Sequence, residues 1–343
     1  MRWTSEHLAA RPNALTETNA RACQASVGPT NVLGQRRDLD PSRQLARTGA
    51  QRPVLVCRAR CGGERLRPCW AKLVDGSSRH EPQQTDRPGV RGLRLHPRPA
   101  HLRVFRGGSG PAVLVLHEIP GLHPGVIDFA RRLISAGYTV YLPSLFGRPV
   151  APATGREIAR SMLRVCVARE FTILADRTSP VVGWLRALAA SAYQECGGLG
   201  VGVVGMCFTG GFALATALEP SVVASVMSQP AMPAPVGARG RKALGLDAKD
   251  LATITARAND NLRVLGLRFT NDHGCPPERF ETLRTSLGPS FEGIEIDSSP
   301  GNAAGIAPSA HSVLTVSLVD EPGHPTRVAL DRVLAFLAEQ LRR

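Results

Sequence analysis

Apolar and polar positions fall into two regimes along the chain, and the change comes after Arg103. Downstream of it, PAVLVLHE (111–118) is a short apolar run closed by charge, the pattern of a strand buried on both faces of a parallel sheet. GVIDFARRLISAG (125–137) sets Val126, Phe129, Leu133 and Ile134 at helical spacing and stops at Gly137. YTVYLP (138–143) predicts the next strand, closed by Pro143. Helical patterns cover 155–169 and 180–194. GLGVGVVGM (198–206) predicts a buried strand, FTGGFALATALE (208–219) a helix, and VVASVMSQ (222–229) another strand. A loop and a short helix near 247–258 lead to strand 262–270, helix 276–287 and strand 291–297. An amphipathic helix over 326–341 ends the chain. Strands alternating with helices imply a mostly parallel sheet with helices on both faces. The expected unit is one α/β domain over 101–343, roughly 240 residues and ordinary in size for that class.

Residues 1–100 keep neither period. Proline, arginine, glutamine and glycine interrupt every apolar run, and only Val54–Cys57 has strand character. Such a segment buries too little apolar surface to offset the entropy of ordering it. A disordered basic Arg/Pro-rich extension is therefore expected. A small folded appendage and sequence upstream of the true start are the other readings; recurring acidic residues speak against a transit peptide. The location of charge changes how the composition is read. The 343 residues carry a formal charge of +14, yet 18 Lys/Arg against 8 Asp/Glu fall in the first hundred, leaving 24 against 20 for the rest. The basic excess thus lies mostly outside the predicted domain. It also lacks interleaved aromatic residues, so no nucleic-acid partner is expected. No run approaches the roughly 18 apolar residues of a spanning helix, and no signal-peptide core stands near the start. A cytoplasmic protein without a membrane partner is expected. The eight cysteines are scattered, and Cys57, Cys61 and Cys69 give only one zinc-like spacing. No metal and no cofactor are expected.

The chemistry concentrates in Gly202–Gly211, GVVGMCFTGG. It reads as strand, tight turn and helix, with a nucleophilic residue type, Cys207, at the turn. A small residue two positions earlier lets the strand turn sharply, and small residues afterwards let the helix pack on the strand. The helix N-terminus there favours thiolate over thiol. A buried structural cysteine in a glycine-rich turn is the plain alternative. In α/β-hydrolases the acid and the histidine follow the nucleophile in that order. Asp272, in TNDHGCPP after strand 262–270, is the candidate acid; a loop residue or helix cap is the alternative. His311 and His324 both follow the last strand, whereas His273 comes before it and is too early.

At this point the residues resemble a known family. HEIPGLHPGVIDFARRLISAGYTVYLPSLFG is similar to the dienelactone hydrolase family, in which an early strand ends in a Glu-Ile pair. GMCFTGG is similar to that family's elbow, glycine-any-cysteine-leucine-glycine-glycine, with Phe208 for leucine and Thr209 for the first following glycine. The resemblance covers about 104–343. It implies an α/β-hydrolase fold with Cys207 as nucleophile, Asp272 as orienting acid and His311 as base. His311 is preferred over His324 because the family's histidine follows the last strand and precedes the final helix by a loop. Glu118 would take the family's glutamate role, receiving the thiol proton when substrate binds; an unperturbed thiol has a pKa of about 8.5. A solvated strand-end carboxylate is the alternative for Glu118. The backbone amides of Ile119 and Phe208 would form the oxyanion hole. One departure concerns substrate: the founding members hold a carboxylate partly through an arginine shortly after the histidine, whereas Ser312, Val313, Leu314 and Thr315 stand here. Arg160 and Arg164 are the other nearby sources of charge. The implied activity is hydrolysis of a small-molecule ester or lactone through an acyl-cysteine, with dienelactone itself not expected. A thioesterase or acyltransferase using the same site, or a non-catalytic binding protein on the same fold, are the competing readings. Oligomeric state is left open.

Overall fold

Period-two burial builds the centre of the sheet. In β2 (Ala112–Leu116), Ala112, Leu114 and Leu116 enter one apolar cluster, while Val113 and Val115 enter a second on the opposite face. In β4 (Val201–Met206), Val201 and Val203 likewise oppose Val204 and Met206. All residues of both strands are buried, as strands covered on two faces must be. The computed structural model describes residues 102–147, 154–167, 178–232 and 237–342; the N-terminal extension, including Val54–Cys57, lies outside them.

The other strands are β1 (Val104–Gly107), β3 (Thr139–Pro143), β5 (Val222–Ser228), β6 (Arg263–Phe269) and β7 (Phe291–Ile296). The sheet runs β1-β3-β2-β4-β5-β6-β7, parallel throughout except that β1 pairs antiparallel with β3. The helices are α1 (Pro124–Ser135), α2 (Gly155–Val167), α3 (Val181–Cys196), α4 (Gly210–Thr216), α5 (Gly237–Lys242), α6 (Ala248–Ala258), α7 (Pro277–Leu287) and α8 (Pro325–Leu341). α1 and α8 cover one face, through Phe129 and Leu133 and through Leu330, Val333 and Leu337. α3, α4, α6 and α7 cover the other, through Leu185, Phe212, Ile254 and Phe280. This is the α/β-hydrolase fold, with the C-terminal ends of the parallel strands on one edge, where such sheets place ligands.

Three elements differ from expectation. β1 has four residues, two of them half-buried, too short for its alternation to register. α5, GARGRK, has no apolar stripe. The helix expected over 208–219 is a 3-10 turn, Cys207–Thr209, followed by the short α4. Its continuation tightens into further i→i−3 bonds, from the Ala217, Leu218 and Glu219 amides to the Leu214, Ala215 and Thr216 carbonyls, before Pro220. The last strand, β7, carries charge on both faces. Glu292 pairs with Arg332 of α8 at 2.7 Å, and Glu295 pairs with Arg284 of α7 and Arg268 of β6. Among the described residues, no helix is long and apolar enough to cross a membrane, and no group of three metal-ligating side chains assembles.

Candidate active site

The turn at the end of β4 depends on two backbone features. Cys207 sits at φ 53°, in the left-handed region that side chains disfavour. Gly205 lies directly beneath the following helix: a Cβ there would stand 2.3 Å from the Thr209 carbonyl oxygen and 2.9 Å from the Ala213 Cβ. Glycine at 205 therefore lets α4 press onto β4 and leaves Cys207 at the apex, half-buried. Thr209 then ties the turn to its neighbour strand. Its buried hydroxyl accepts from the Met206 amide at 3.0 Å and lies 2.9 Å from the Leu116 carbonyl at the end of β2. Phe208, in the first helical turn, has an amide with no intrahelical acceptor by construction. Its ring packs between Phe146 and Phe212, at 6.0 and 5.3 Å.

Asp272 and His311 meet at this apex from two other loops. His311 Nδ1–H donates to Asp272 Oδ2 at 2.7 Å, and Cys207 lies close enough to the ring to interact with it electrostatically. Burial opposes a charge on His311, but the bond to Asp272 and the neighbouring Cys207 sulfur outweigh it and raise its pKa to about 11. Asp272 is buried and held from behind by the Gly274 amide, 2.8 Å from Oδ1. Two buried arginines frame its loop. Arg268 donates to the Cys275 and Thr270 carbonyls at 2.9 and 3.0 Å, and Arg279 donates to the Gly274 and Pro230 carbonyls at 3.1 and 2.6 Å. Cys275 itself is fully buried, and burial pushes its thiol up to about 12. His324 stands apart: it caps α8, with Nδ1 2.7 Å from the Thr326 hydroxyl.

Glu118 follows β2 and is almost wholly buried. Each of its oxygens takes two donors. Oε1 accepts from His123 Nε2–H at 3.0 Å and from the Thr315 hydroxyl; Oε2 accepts from the Ser312 hydroxyl at 2.7 Å and from Gln229 Nε2 at 3.1 Å. Burial works against ionisation, yet the bonds from His123, Thr315 and Ser312 hold the carboxyl below the usual carboxylate range. Next to it, His117 accepts from the Leu145 amide at Nε2, 2.9 Å away, so its proton is on Nδ1, and burial lowers its pKa to about 4.

A model of the dienelactone hydrolase family matches residues 103–296. The chain belongs to this family. A protein of Salmonella typhi named "Putative carboxymethylenebutenolidase" is 28% identical over 183 residues, which are 52% of this chain and 62% of that protein. One of the same name from Escherichia coli K12 is 28% identical over 214 residues, 60% of this chain and 72% of that one. The match thus spans less than two thirds of the Salmonella protein's length. Among solved structures, the "Putative Dienelactone Hydrolase" of Klebsiella pneumoniae aligns at 21% identity and TM-score 0.46, covering 69% of this chain and 92% of that one.

In this dienelactone hydrolase family member the structure brings Cys207, Asp272 and His311 together, with Glu118 and Ile119 just past the end of β2. Arg160 is exposed on α2, and the side chain of Arg164 lies outside the described residues. Sequence reasoning missed Thr209, Gln229 and His123 as members of the site. Gln229 carried a signal only in hindsight: a wholly buried amide at a strand end, held at φ 35°. Beside the elbow lies a small recess lined by apolar groups such as Phe208, Phe212, Met227 and Leu244, together with Arg279.

Proposed function

We infer that this protein hydrolyses an ester or lactone through an acyl-cysteine intermediate on Cys207. The observation that supports the reading is the Asp272–His311 hydrogen bond beside Cys207, which stands at a strained turn on the sheet's C-terminal edge. In the proposed reaction the Cys207 thiol gives its proton to His311 as Sγ bonds to the carbonyl carbon, and the amides of Phe208 and Ile119 receive the oxygen's developing charge. The C–O bond then breaks, and the leaving oxygen takes a proton from His311. Water, deprotonated by His311, attacks the thioester carbon, releasing the carboxylic acid and restoring the cysteine. Asp272 holds the imidazole with its Nε2 toward sulfur throughout.

The test is Cys207→Ala. Hydrolysis of a panel of p-nitrophenyl esters, lactones and acyl thioesters should fall to background, while the variant keeps the wild-type circular dichroism spectrum. Mass spectrometry of wild-type protein quenched during turnover should find the acyl group on Cys207. Turnover within a few-fold of wild type in Cys207→Ala would end the cysteine-hydrolase reading. The same panel separates ester or lactone hydrolysis from thioesterase activity.

A further inference from the structure

We propose that His117 is a positioning residue of the oxyanion hole, aligning the peptide unit between Glu118 and Ile119 so that the Ile119 amide faces the substrate oxygen. This rests on the reading of Cys207 as nucleophile, with the amides of Ile119 and Phe208 as the donors beside it.

His117 is the first residue past β2 and is wholly buried. Its ring makes two bonds of opposite sense. The Leu145 amide donates to Nε2 at 2.9 Å, and Nδ1–H donates to the main-chain carbonyl of Glu118 at 3.0 Å. An amide can only donate and a carbonyl only accept, so each bond separately requires the same tautomer. The Glu118 carbonyl belongs to the same planar unit as the Ile119 amide. That unit is trans, and across a trans unit the C=O and N–H point in opposite directions. Holding the carbonyl toward His117 therefore turns the Ile119 N–H away from the ring. Among the described residues, no main-chain carbonyl takes that N–H.

The flanking chain is fastened on both sides. Upstream, the Thr209 hydroxyl lies 2.9 Å from the Leu116 carbonyl. Downstream, the Pro120 carbonyl accepts from the buried Ser161 hydroxyl at 2.8 Å, and Gly147 packs so close to that carbonyl that a Cβ would not fit. The motion left to the 118–119 unit is rotation of its plane, which would exchange the directions of carbonyl and amide. The bond from His117 opposes that rotation. It also polarises the unit, since a peptide bonded at its carbonyl is a stronger donor at its N–H, by about 10–30% per bond.

The chain that holds His117 reaches the second donor as well. Leu145, which fixes the ring, directly precedes Phe146. The Phe146 ring meets His117 at 4.4 Å and Phe208 at 6.0 Å, edge to face in both cases. One stretch after β3 thus supports both residues whose alignment the oxyanion hole needs. A histidine that only paired with the Leu145 amide would stabilise the fold without bearing on turnover.

The test separates the two bonds in the full-length protein. In His117→Asn the side-chain nitrogen takes the place of Nδ1 and keeps a donor for the Glu118 carbonyl. In His117→Gln the side-chain oxygen takes the place of Nε2 and keeps an acceptor for the Leu145 amide. Hydrolysis of a p-nitrophenyl ester is measured beside alkylation of Cys207 by iodoacetamide, a displacement at a methylene carbon that forms no oxyanion. His117→Gln should lose about ten- to hundredfold in kcat, approaching the loss of a whole oxyanion donor, with alkylation within about twofold of wild type. His117→Asn should keep kcat at least about fivefold above the glutamine variant. The proposal is overturned by kcat within about threefold of wild type in His117→Gln, by alkylation falling in step with kcat, or by an asparagine variant no faster than glutamine. Should neither variant fold, ¹⁵N NMR of histidine-labelled wild-type protein decides: the expected His117 signal carries its proton on Nδ1, and a proton on Nε2 overturns the proposal. Failure of the nucleophile reading is seen separately, as turnover persisting in Cys207→Ala.

Discussion

Replacing Thr209 by valine isolates one hydroxyl on which the geometry of the elbow depends. The Thr209 side chain is wholly buried, and valine matches its shape without the oxygen. Its hydroxyl is the acceptor for the Met206 amide at 3.0 Å and lies 2.9 Å from the Leu116 carbonyl, 3.0 Å from that of Met206. In the valine variant at least one buried N–H and one carbonyl lose a partner. Each such group costs about 1–3 kcal/mol, so a loss of about 2–4 kcal/mol is expected. In a domain of this size a kilocalorie moves the midpoint by about 2–4 °C, which predicts a Tm lower by about 5–15 °C. Thermal unfolding followed by circular dichroism measures it. Thr209→Ser restores the hydroxyl and removes one methyl group, at about 1 kcal/mol, so it should melt well above the valine variant. Because the hydroxyl also sets the distance between the ends of β2 and β4, kcat on a p-nitrophenyl ester should fall in valine and largely recover in serine. A valine variant melting within about 1 °C of wild type, or below the serine variant only by error, would refute the reasoning.

His311→Ala should lower the acylation rate at least about a hundredfold, the range of a lost general base, while His324→Ala leaves acylation near wild type. The latter should lose about 1 kcal/mol in denaturant unfolding as the cap of α8 goes. Asp272→Asn keeps the side chain's shape but not its charge, and stopped-flow measurement of acylation should show a drop of about 10²–10⁴-fold. Gly205→Ala forces a methyl group to 2.3 Å from the Thr209 carbonyl oxygen. It should cost about 3 kcal/mol in urea unfolding and lower kcat, since α4 must move away from β4.

Much of the sheet was legible because β2 and β4 are buried on both faces and so appear as unbroken apolar runs. The helices packed on them show their stripes for the same reason. β1 was not legible: at four residues, its place is decided by pairing with β3 rather than by its own pattern. The elbow was visible because its chemistry is local, within ten residues of chain. The surroundings of Glu118 were not. Its partners lie 5, 111, 194 and 197 residues away, and no period or spacing records such a meeting. Ser312 and Thr315 register in the sequence only as the lack of an arginine; in the fold their hydroxyls are bonded to a buried carboxylate. Thr209 reads as a departure from the family's glycine, and its use becomes clear only where β2 and β4 end side by side.

Strands at the margin of a sheet usually open first, since half their backbone groups pair with nothing. β7 has reason to behave otherwise. The arginines of α7 and α8 reach its glutamates from opposite faces, so peeling it away would separate ion pairs above and below together. Its amides should therefore exchange with solvent more slowly than those of β1 at the far margin. The segment carrying His311 leaves directly from β7, and that quiet strand gives the base a steady point of departure.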